Sequence, residues 1–420
     1  MRMTLLSLGS TGDVRPYVLL GQELKSRGHE VTVAAFSAFR DMVVDAGLRF
    51  FAIAGDAEEF MSNIMKPEAV GVRYLIEAER SIRDIAPVLL RDLLLACEGA
   101  EAMVCNFFGT MYYSVAEKYG IPCVQTHFFS MDPTGDMPIS SAPGLTWGRW
   151  WNRVSYRIGY FLISLLERRY LTAWRRANGM TVKGLRTAPD YRIGENTVPA
   201  LYAMSPLVVP RPAEWGESIA MTGFWWDDAP CTWQPPEELT AFMAAGDTPV
   251  YIGFGSMNSG DMEETYNIVL EAVRLADVRA VINLGWNSDK MHLESDERIF
   301  FGDYIPHDWL FDHVCAVVHH GGAGTTAAGL RYGKPTLVIP FGGDQPFWGM
   351  RVEALGCGPA PIERMKMTAQ RLAEALKELT TNDRYRAAAA ALGETMRREH
   401  GVQLAADLVE KHIAAWKKEA

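Results

Sequence analysis

The chain has few cysteines, no Cys-x-x-Cys pair and no paired spacing. Cys97, Cys105, Cys123, Cys231, Cys315 and Cys357 are scattered through 420 residues. That pattern offers no disulfide framework and suits a reducing compartment, where thiols inside apolar runs act as small hydrophobes. Positive charge is also in deficit. Lys and Arg number 41 against 51 Asp and Glu, a net charge of −10, which argues against a general nucleic-acid binder. No run approaches the roughly 18 apolar residues of a membrane span. Met1–Leu8 is too short for the apolar region of a signal peptide before Gly9 and charged residues follow. A cytoplasmic protein is expected. What is present is ordinary for a soluble globular enzyme: 48% hydrophobic and 22% charged residues. The length implies two domains of roughly 200 residues each.

Chemistry concentrates between Tyr304 and Gly349. Cys315–His319 is short, apolar and β-branched, as a buried strand is. His320-Gly321-Gly322-Ala323-Gly324 follows as a turn where backbone can approach a ligand closely. From Thr325 to Arg331 the residues favour helix. A glycine turn that opens a helix suits an anion, because free N–H groups and the positive helix end point at it. His320 stands at the mouth of that turn. A second strand, Thr336–Pro340, leads to Gly342-Gly343-Asp344-Gln345-Pro346, whose polar pair suits the hydroxyls of a sugar. Taken singly, each feature has a plainer explanation: glycine turns before helices are common, and an Asp-Gln pair in a loop is usually just solvated.

The combination is more specific. Pro306–Phe311, His319–Thr326 and Gly343–Gly349 together resemble the donor-binding segment of the inverting, nucleotide-sugar-dependent glycosyltransferases. Within them the stretch is most similar to the sterol 3-β-glucosyltransferase branch and shares much with antibiotic glycosyltransferases. The resemblance implies an α/β protein of the GT-B fold: two Rossmann-like domains facing across a cleft, with a C-terminal helix returning to the N-terminal domain. It implies acceptor binding by 1–215, a linker over 216–247, donor binding by 248–395 and a returning helix over 396–420.

The start of the chain agrees with a parallel α/β design. Met3–Leu8 reads as a strand, Gly9–Asp13 as a tight turn, Arg15–Arg27 as a helix ended by Gly28, and Val31–Ala35 as the next strand. The turn after such a strand faces the ligand crevice, and Asp13 lies in it. The commoner job for an Asp there is to hold its own turn or the following helix end. The resemblance implies more: Gly9–Asp13 matches the form in which this loop's Asp takes the acceptor hydroxyl's proton. His-type relatives add an Asp that orients the base; here Asn106 stands at that place, and an Asp base needs no such partner.

Phe51–Glu98 shows helical patterning broken by Pro67 and Pro87, and Ile121–Phe129 reads as a strand running into a loop. Asn106, His127, Ser130 and Asp132 are candidate acceptor-binding residues by position, although each has a structural alternative. Arg149–Arg192 holds ten Lys or Arg against two acidic residues, interleaved with aromatics. It admits two explanations: an amphipathic helix packed on its own domain with arginines outward, which is the preferred one, or peripheral contact with an anionic membrane. Leu207–Pro249 is rich in Pro and Trp and reads as the connection between domains. Helices over Thr368–Leu379 and Asp383–Trp416 close the chain.

By resemblance, Ser256, His320, Gly322, Gly324 and Thr325 lie at the diphosphate, with Trp286 in the next strand's turn. Tyr304 stacks on the nucleobase, Ile305 pairs with its edge through backbone, and Asp344 and Gln345 hold sugar hydroxyls. No Asp-x-Asp triplet occurs, so no metal and no cofactor are expected; fixed donors stabilise the leaving group instead. Plant relatives hold the ribose with a Glu where Ala328 stands, which leaves uridine and thymidine donors both open. The expected reaction moves a hexose, glucose from UDP-glucose, to a hydroxyl of a hydrophobic sterol or triterpenoid, with Asp13 as general base. The alternatives are a flavonoid, macrolide or other natural-product glycosyltransferase using a UDP- or TDP-sugar, a nucleotide-sugar epimerase or hydrolase of the same fold, and a non-catalytic sugar-nucleotide-binding partner.

Overall fold

Short apolar strands alternate with amphipathic helices along almost the whole chain, and in the two main sheets each strand pairs in parallel with its neighbours. The computed structural model describes residues 1–64, 72–106, 110–139, 147–182, 191–229, 231–255, 262–285, 293–302 and 305–416. Packing divides the chain into two units, Met1–Asp227 with His400–Ala420, and Asp228–Glu399.

The first unit contains β1 (Arg2–Leu6), α1 (Thr11–Ser26), β2 (Glu30–Phe36), α2 (Arg40–Asp45), β3 (Arg49–Ile53), α3 (Ala57–Ile64) and α4 (Val72–Ala96). It continues through β4 (Ala102–Cys105), α5 (Thr110–Tyr119), β5 (Cys123–His127), α6 (Arg149–Ala177), β6 (Arg192–Ile193), β7 (Asn196–Thr197), β8 (Ala200–Tyr202) and β9 (Ile219–Met221). The strands run β3-β2-β1-β4-β5-β8-β9, all parallel, with β6 and β7 forming a separate small hairpin. A parallel sheet is covered on both faces, so its strands read as apolar runs rather than alternations. All four residues of β4 are buried.

The second unit contains α7 (Glu237–Ala244), β10 (Val250–Gly253), α8 (Met262–Ala276), β11 (Ala280–Asn283), β12 (Ile299–Gly302), α9 (His307–Leu310), β13 (Ala316–His319) and α10 (Ala323–Arg331). β14 (Thr336–Val338), α11 (Gln345–Ala354), α12 (Ala369–Thr381) and α13 (Asp383–Met396) complete it. Its sheet is also parallel, in the order β12-β11-β10-β13-β14. Ile252, Val318 and Leu337 of the sheet pack with Val269, Val273, Leu372 and Leu376 of the flanking helices. Both units are Rossmann-like.

The last helix, α14 (Gly401–Ala415), belongs to the first unit. Its Val402, Ala405, Ala406 and Val409 join the core formed with Leu5, Val33, Leu20 and Leu24. Arg27, just past the end of α1, donates to Asp407 at 2.6 Å, to Glu410 at 2.9 Å and to the Gln403 carbonyl at 3.1 Å. Gly401 is needed where the helix enters, because a Cβ there would stand 2.3 Å from the Phe224 carbonyl oxygen.

Three local expectations change. Helix α1 begins at Thr11, not Arg15, because Ser10 and Asp13 cap it and Pro16 is tolerated inside. Pro87 does not break the pattern but sits within α4, on its exposed side, where water can satisfy the carbonyl that loses its N–H partner. The apparently irregular Leu207–Pro249 supplies the edge strand β9 and helix α7. Pro67 lies outside the described residues.

Candidate active site

In each sheet the strand order reverses direction once, and a ligand crevice forms outside the carboxyl ends of the strands at that point. In the first unit the reversal lies between β1 and β4, whose registers match Leu6 with Cys105. The next residues are Ser7–Ser10 on one side and Asn106 on the other. Asn106 is fully buried and donates from Nδ2 to the Leu8 carbonyl at 2.8 Å, while its own N–H reaches the Leu6 carbonyl at 3.3 Å. It fixes the loop that carries Asp13. Its Oδ1 is buried without a partner.

Asp13 sits in the first turn of α1, half-buried. Its Oδ2 accepts the Ser10 N–H at 2.7 Å and the Ser10 hydroxyl at 3.1 Å, and its carbonyl accepts from Ser7 at 2.9 Å. The carboxylate curls back only because residue 9 is glycine. Gly9 has φ +141°, and a Cβ there would lie 2.2 Å from Asp13 Oδ2. Burial raises the Asp13 carboxyl from 3.8 to about 6, against the two Ser10 hydrogen bonds that lower it. Such a group is ionised at neutral pH yet basic enough to take a proton. The structural role considered for Asp13 is thus real, since it caps its own helix, and the geometry leaves the carboxylate placed at a sheet's carboxyl edge.

Tyr17, one helical turn on, lies under this site, with its hydroxyl bonded to Thr126 Oγ1 and its ring against Phe128 and Trp225. The spacing of four residues from Asp13 was a signal for it that the motif alone did not supply.

In the second unit the reversal lies between β10 and β13, with Gly253 beside His319. The N-cap of α10 is Gly322, which brings no side chain, and no acidic residue occupies the first turn. Gly324 is exposed, and a Cβ there would meet nothing within 4 Å. Gly321, at φ +96°, passes so close to β14 and α11 that a Cβ would stand 2.6 Å from Val338 and 2.9 Å from the Gln345 carbonyl oxygen. His320 lies against Gly255 and Gly322, where an added Cβ would come within 3.1 Å and 2.6 Å of its ring. Burial and nearby His307 push its imidazole down to about 4, although the Gly253 backbone accepts a hydrogen bond from it. It is neutral at pH 7, and its Nδ1 is buried without a partner. His319, absent from the expected site, accepts the Gly321 N–H on Nδ1 at 2.9 Å, which puts its proton on Nε2. That bond shapes the glycine turn.

Thr325 is half-buried beside the open turn. Asp344 stands at the head of α11 without a side-chain capping bond and accepts from Trp348 Nε1 at 2.8 Å. Gln345 is buried, and its Oε1 accepts the Phe341 and Gly342 N–H groups at 2.7 and 3.2 Å. Gln345 thus holds the loop after β14, and Asp344 the first turns of α11. Ile305 is buried. Ser256, Trp286 and Tyr304 lie outside the described residues.

The candidate acceptor residues are buried. His127, at the end of β5, is pushed down to about 3 by burial, and its Nδ1 has no partner. Ser130 bonds Tyr156 at 2.8 Å; Asp132 accepts from Tyr202 at 2.6 Å, while the Tyr202 oxygen accepts the Asp132 N–H at 2.7 Å. These contacts tie the loop after β5 to β8 and α6. Among the described residues no three His, Cys, Asp or Glu side chains gather as a metal site, and no helix is long and apolar enough to cross a membrane.

Residues 3–135 match the glycosyltransferase family 28 N-terminal domain, and residues 267–410 match the erythromycin biosynthesis protein CIII-like C-terminal domain. A sterol 3-beta-glucosyltransferase of Pichia angusta is 35% identical over 422 residues, covering 97% of this chain and 33% of the relative. One from Arabidopsis thaliana is 31% identical over 432 residues, covering 98% of this chain and 68% of the relative. The chain thus spans about a third of the length of the fungal relative and about two thirds of the plant one. Among solved structures, the glycotransferase of kitacinnamycin superposes with a TM-score of 0.71 at 21% identity, covering 98% of both chains. The glycosyltransferase VinC, in complex with DTDP, superposes with a TM-score of 0.68 at 18% identity, covering 99% of this chain and 100% of that one. These likenesses establish the fold as that of the GT-B glycosyltransferases. With relatives matched at this identity along nearly its whole length, the chain belongs to the sterol 3-beta-glucosyltransferase family of glycosyltransferases.

Proposed function

We propose that the chain transfers glucose from UDP-glucose to the hydroxyl of a sterol, inverting the anomeric carbon, with Asp13 as general base. The observation that carries this is the Asp13 carboxylate: pinned by Ser10, raised to about 6 by burial, and placed at the switch point of the first sheet. The acceptor oxygen attacks the anomeric carbon as its proton passes to Asp13. The bond from that carbon to the phosphate oxygen breaks, and its electron pair leaves with UDP. The uncapped N-terminus of α10, with its glycine turn, supplies fixed donors for the charge developing on the diphosphate. Asp344, at the head of α11, holds a sugar hydroxyl. The reaction runs without a divalent metal. The sterol is taken from what the relatives are named for.

The test is a labelled UDP-glucose assay with sterols, EDTA present, and Asp13→Asn alongside. Steryl glucoside of inverted configuration is expected, with turnover falling about 10²–10⁴-fold in the variant. UDP binding, read by calorimetry, stays unchanged. Parallel arms with TDP-glucose and with flavonoid or macrolide acceptors separate the natural-product alternative. An Asn variant as active as the wild type ends the assignment of the base; nucleotide binding without any product favours the non-catalytic alternative.

A further inference from the structure

Helix α6 is anchored by one face and bare on another. Asn152, Ser155, Tyr156, Leu171 and Arg175 are buried, and Arg175 is held by Ser114 at 2.9 Å and Glu117 at 2.7 Å. On the other side Trp150, Val154, Ile158, Phe161 and Leu165 recur at steps of four, four, three and four residues, which is one stripe of a helix. Apart from half-buried Val154, the stripe is exposed among the described residues. Trp150 is 72% exposed, Phe161 66% and Leu165 52%. Trp147, just before the helix, is 73% exposed, with its ring 4.7 Å from that of Trp151. Scattered apolar side chains on a surface need no explanation, but a continuous stripe with two tryptophans at one end does.

The charges beside the stripe point to its occupant. Helix α6 carries seven Arg and one Glu, in a protein whose net charge is −10. Arg149 and Arg153 are used internally, on Asp136 and Glu214. Arg157, Arg168 and Arg176 are exposed and have no ion-pair partner among the described residues. At 100° per residue Arg157 falls just outside one edge of the stripe, while Arg168 and Arg176 continue its two edges beyond Leu165. Tryptophan, aliphatic and phenylalanine side chains rimmed by unpaired guanidinium groups match the boundary between headgroups and acyl chains of an anionic bilayer. A protein partner would meet the apolar stripe equally well, but it gives no reason for guanidinium groups along both edges.

We propose that the exposed face of α6 docks the protein on anionic lipid membranes, with the apolar stripe inserted at the headgroup boundary and Arg157, Arg168 and Arg176 against lipid phosphates. This surface holds the enzyme at the interface where a lipid-like acceptor resides. The docking requires neither donor nor acceptor, so its test stands apart from that of the glycosyl transfer.

The experiment is co-sedimentation of the whole chain with phosphatidylcholine vesicles, with and without phosphatidylserine, at low and physiological salt. Pelleting with the anionic vesicles, weakened by salt, is expected. Trp150→Asp with Phe161→Asp abolishes it, and Arg157→Glu with Arg168→Glu lowers partitioning about tenfold or more. The arginine pair is fully outside the core, so it keeps the test open if the apolar pair fails to fold, as circular dichroism would show. Wild-type protein that stays in solution with anionic vesicles at low salt overturns the proposal, as do arginine variants that pellet like the wild type. A concentration-dependent dimer that Phe161→Asp disperses, seen by light scattering, also overturns it by assigning the face to a second copy.

Discussion

The two units use the same βα turn at the same topological point and leave it in opposite electrostatic states. In the first, the positive end of α1 is already answered from within the chain, because Asp13 brings a carboxylate into the first turn and bonds the Ser10 N–H. In the second, α10 begins at a glycine, has no acid in its first turn and opens onto space at Gly324. An occupied helix end presents a fixed carboxylate. An empty one presents free N–H donors to an anion that must come from a ligand. Glycine serves both, but differently: Gly9 makes room for a side chain of the protein itself, and Gly324 makes room for something else.

The comparison breaks most completely if the second turn is made like the first. Gly324→Asp puts a carboxylate on α10 where nothing obstructs it, so the fold should survive. The new charge competes with the diphosphate for the same N–H groups and repels it. The expected result is a rise in the UDP dissociation constant of about 100-fold, on the scale of two to three kcal/mol for a charge facing a helix end and a like charge at close range. Gly324→Asn, of similar size and neutral, should cost much less. Equal losses for the two variants would mean that space, not charge, makes the site.

The difference between the turns was only half legible in the sequence. Both glycine motifs stand out, and the strand–turn–helix order around each follows from apolar runs and turn residues. What each turn does depends on partners far along the chain. Asn106 reaches the Asp13 loop because β4 lies beside β1, an adjacency set by the crossover rather than by spacing. Tyr17 was within reach of a local argument, four residues from Asp13 on one helix. The early start of α1 was also local: Ser10 followed three residues later by an acid is a capping pattern. Gln345 could not be separated in advance into a loop-holding and a ligand-facing side chain, because its Oε1 bonds depend on how the chain bends after β14.

A carboxylate committed to its own helix end and yet raised in pKa should leave a mark on stability. The folded value for Asp13 is about 6, above the 3.8 of an ordinary Asp, so the folded protein binds this proton more tightly than the unfolded chain. The stabilisation is complete below pH 4 and is lost as the pH rises through 6. Asp13→Asn stays neutral at every pH and keeps an oxygen for the Ser10 N–H. It should therefore match the wild type near pH 4 and exceed it at pH 8, by at most about 3 kcal/mol. Urea unfolding at the two pH values reads the difference. A variant less stable than the wild type at pH 8 would mean that capping, not burial, dominates at this position.

The smallest effect separates the two bonds that Ser10 gives to Asp13. Both lower the carboxyl pKa against the larger effect of burial. Ser10→Ala removes only the hydroxyl, at 3.1 Å, and leaves the backbone N–H at 2.7 Å. The ionised form loses one donor, so the acid limb of kcat/KM, expected near 6 in the wild type, should move to higher pH by a fraction of a unit. Activity well above the limb should change little, because the proposed base is still ionised and still held by the N–H. A limb that moves down, or a plateau that collapses while the limb stays, would show that the hydroxyl positions the base rather than tuning it.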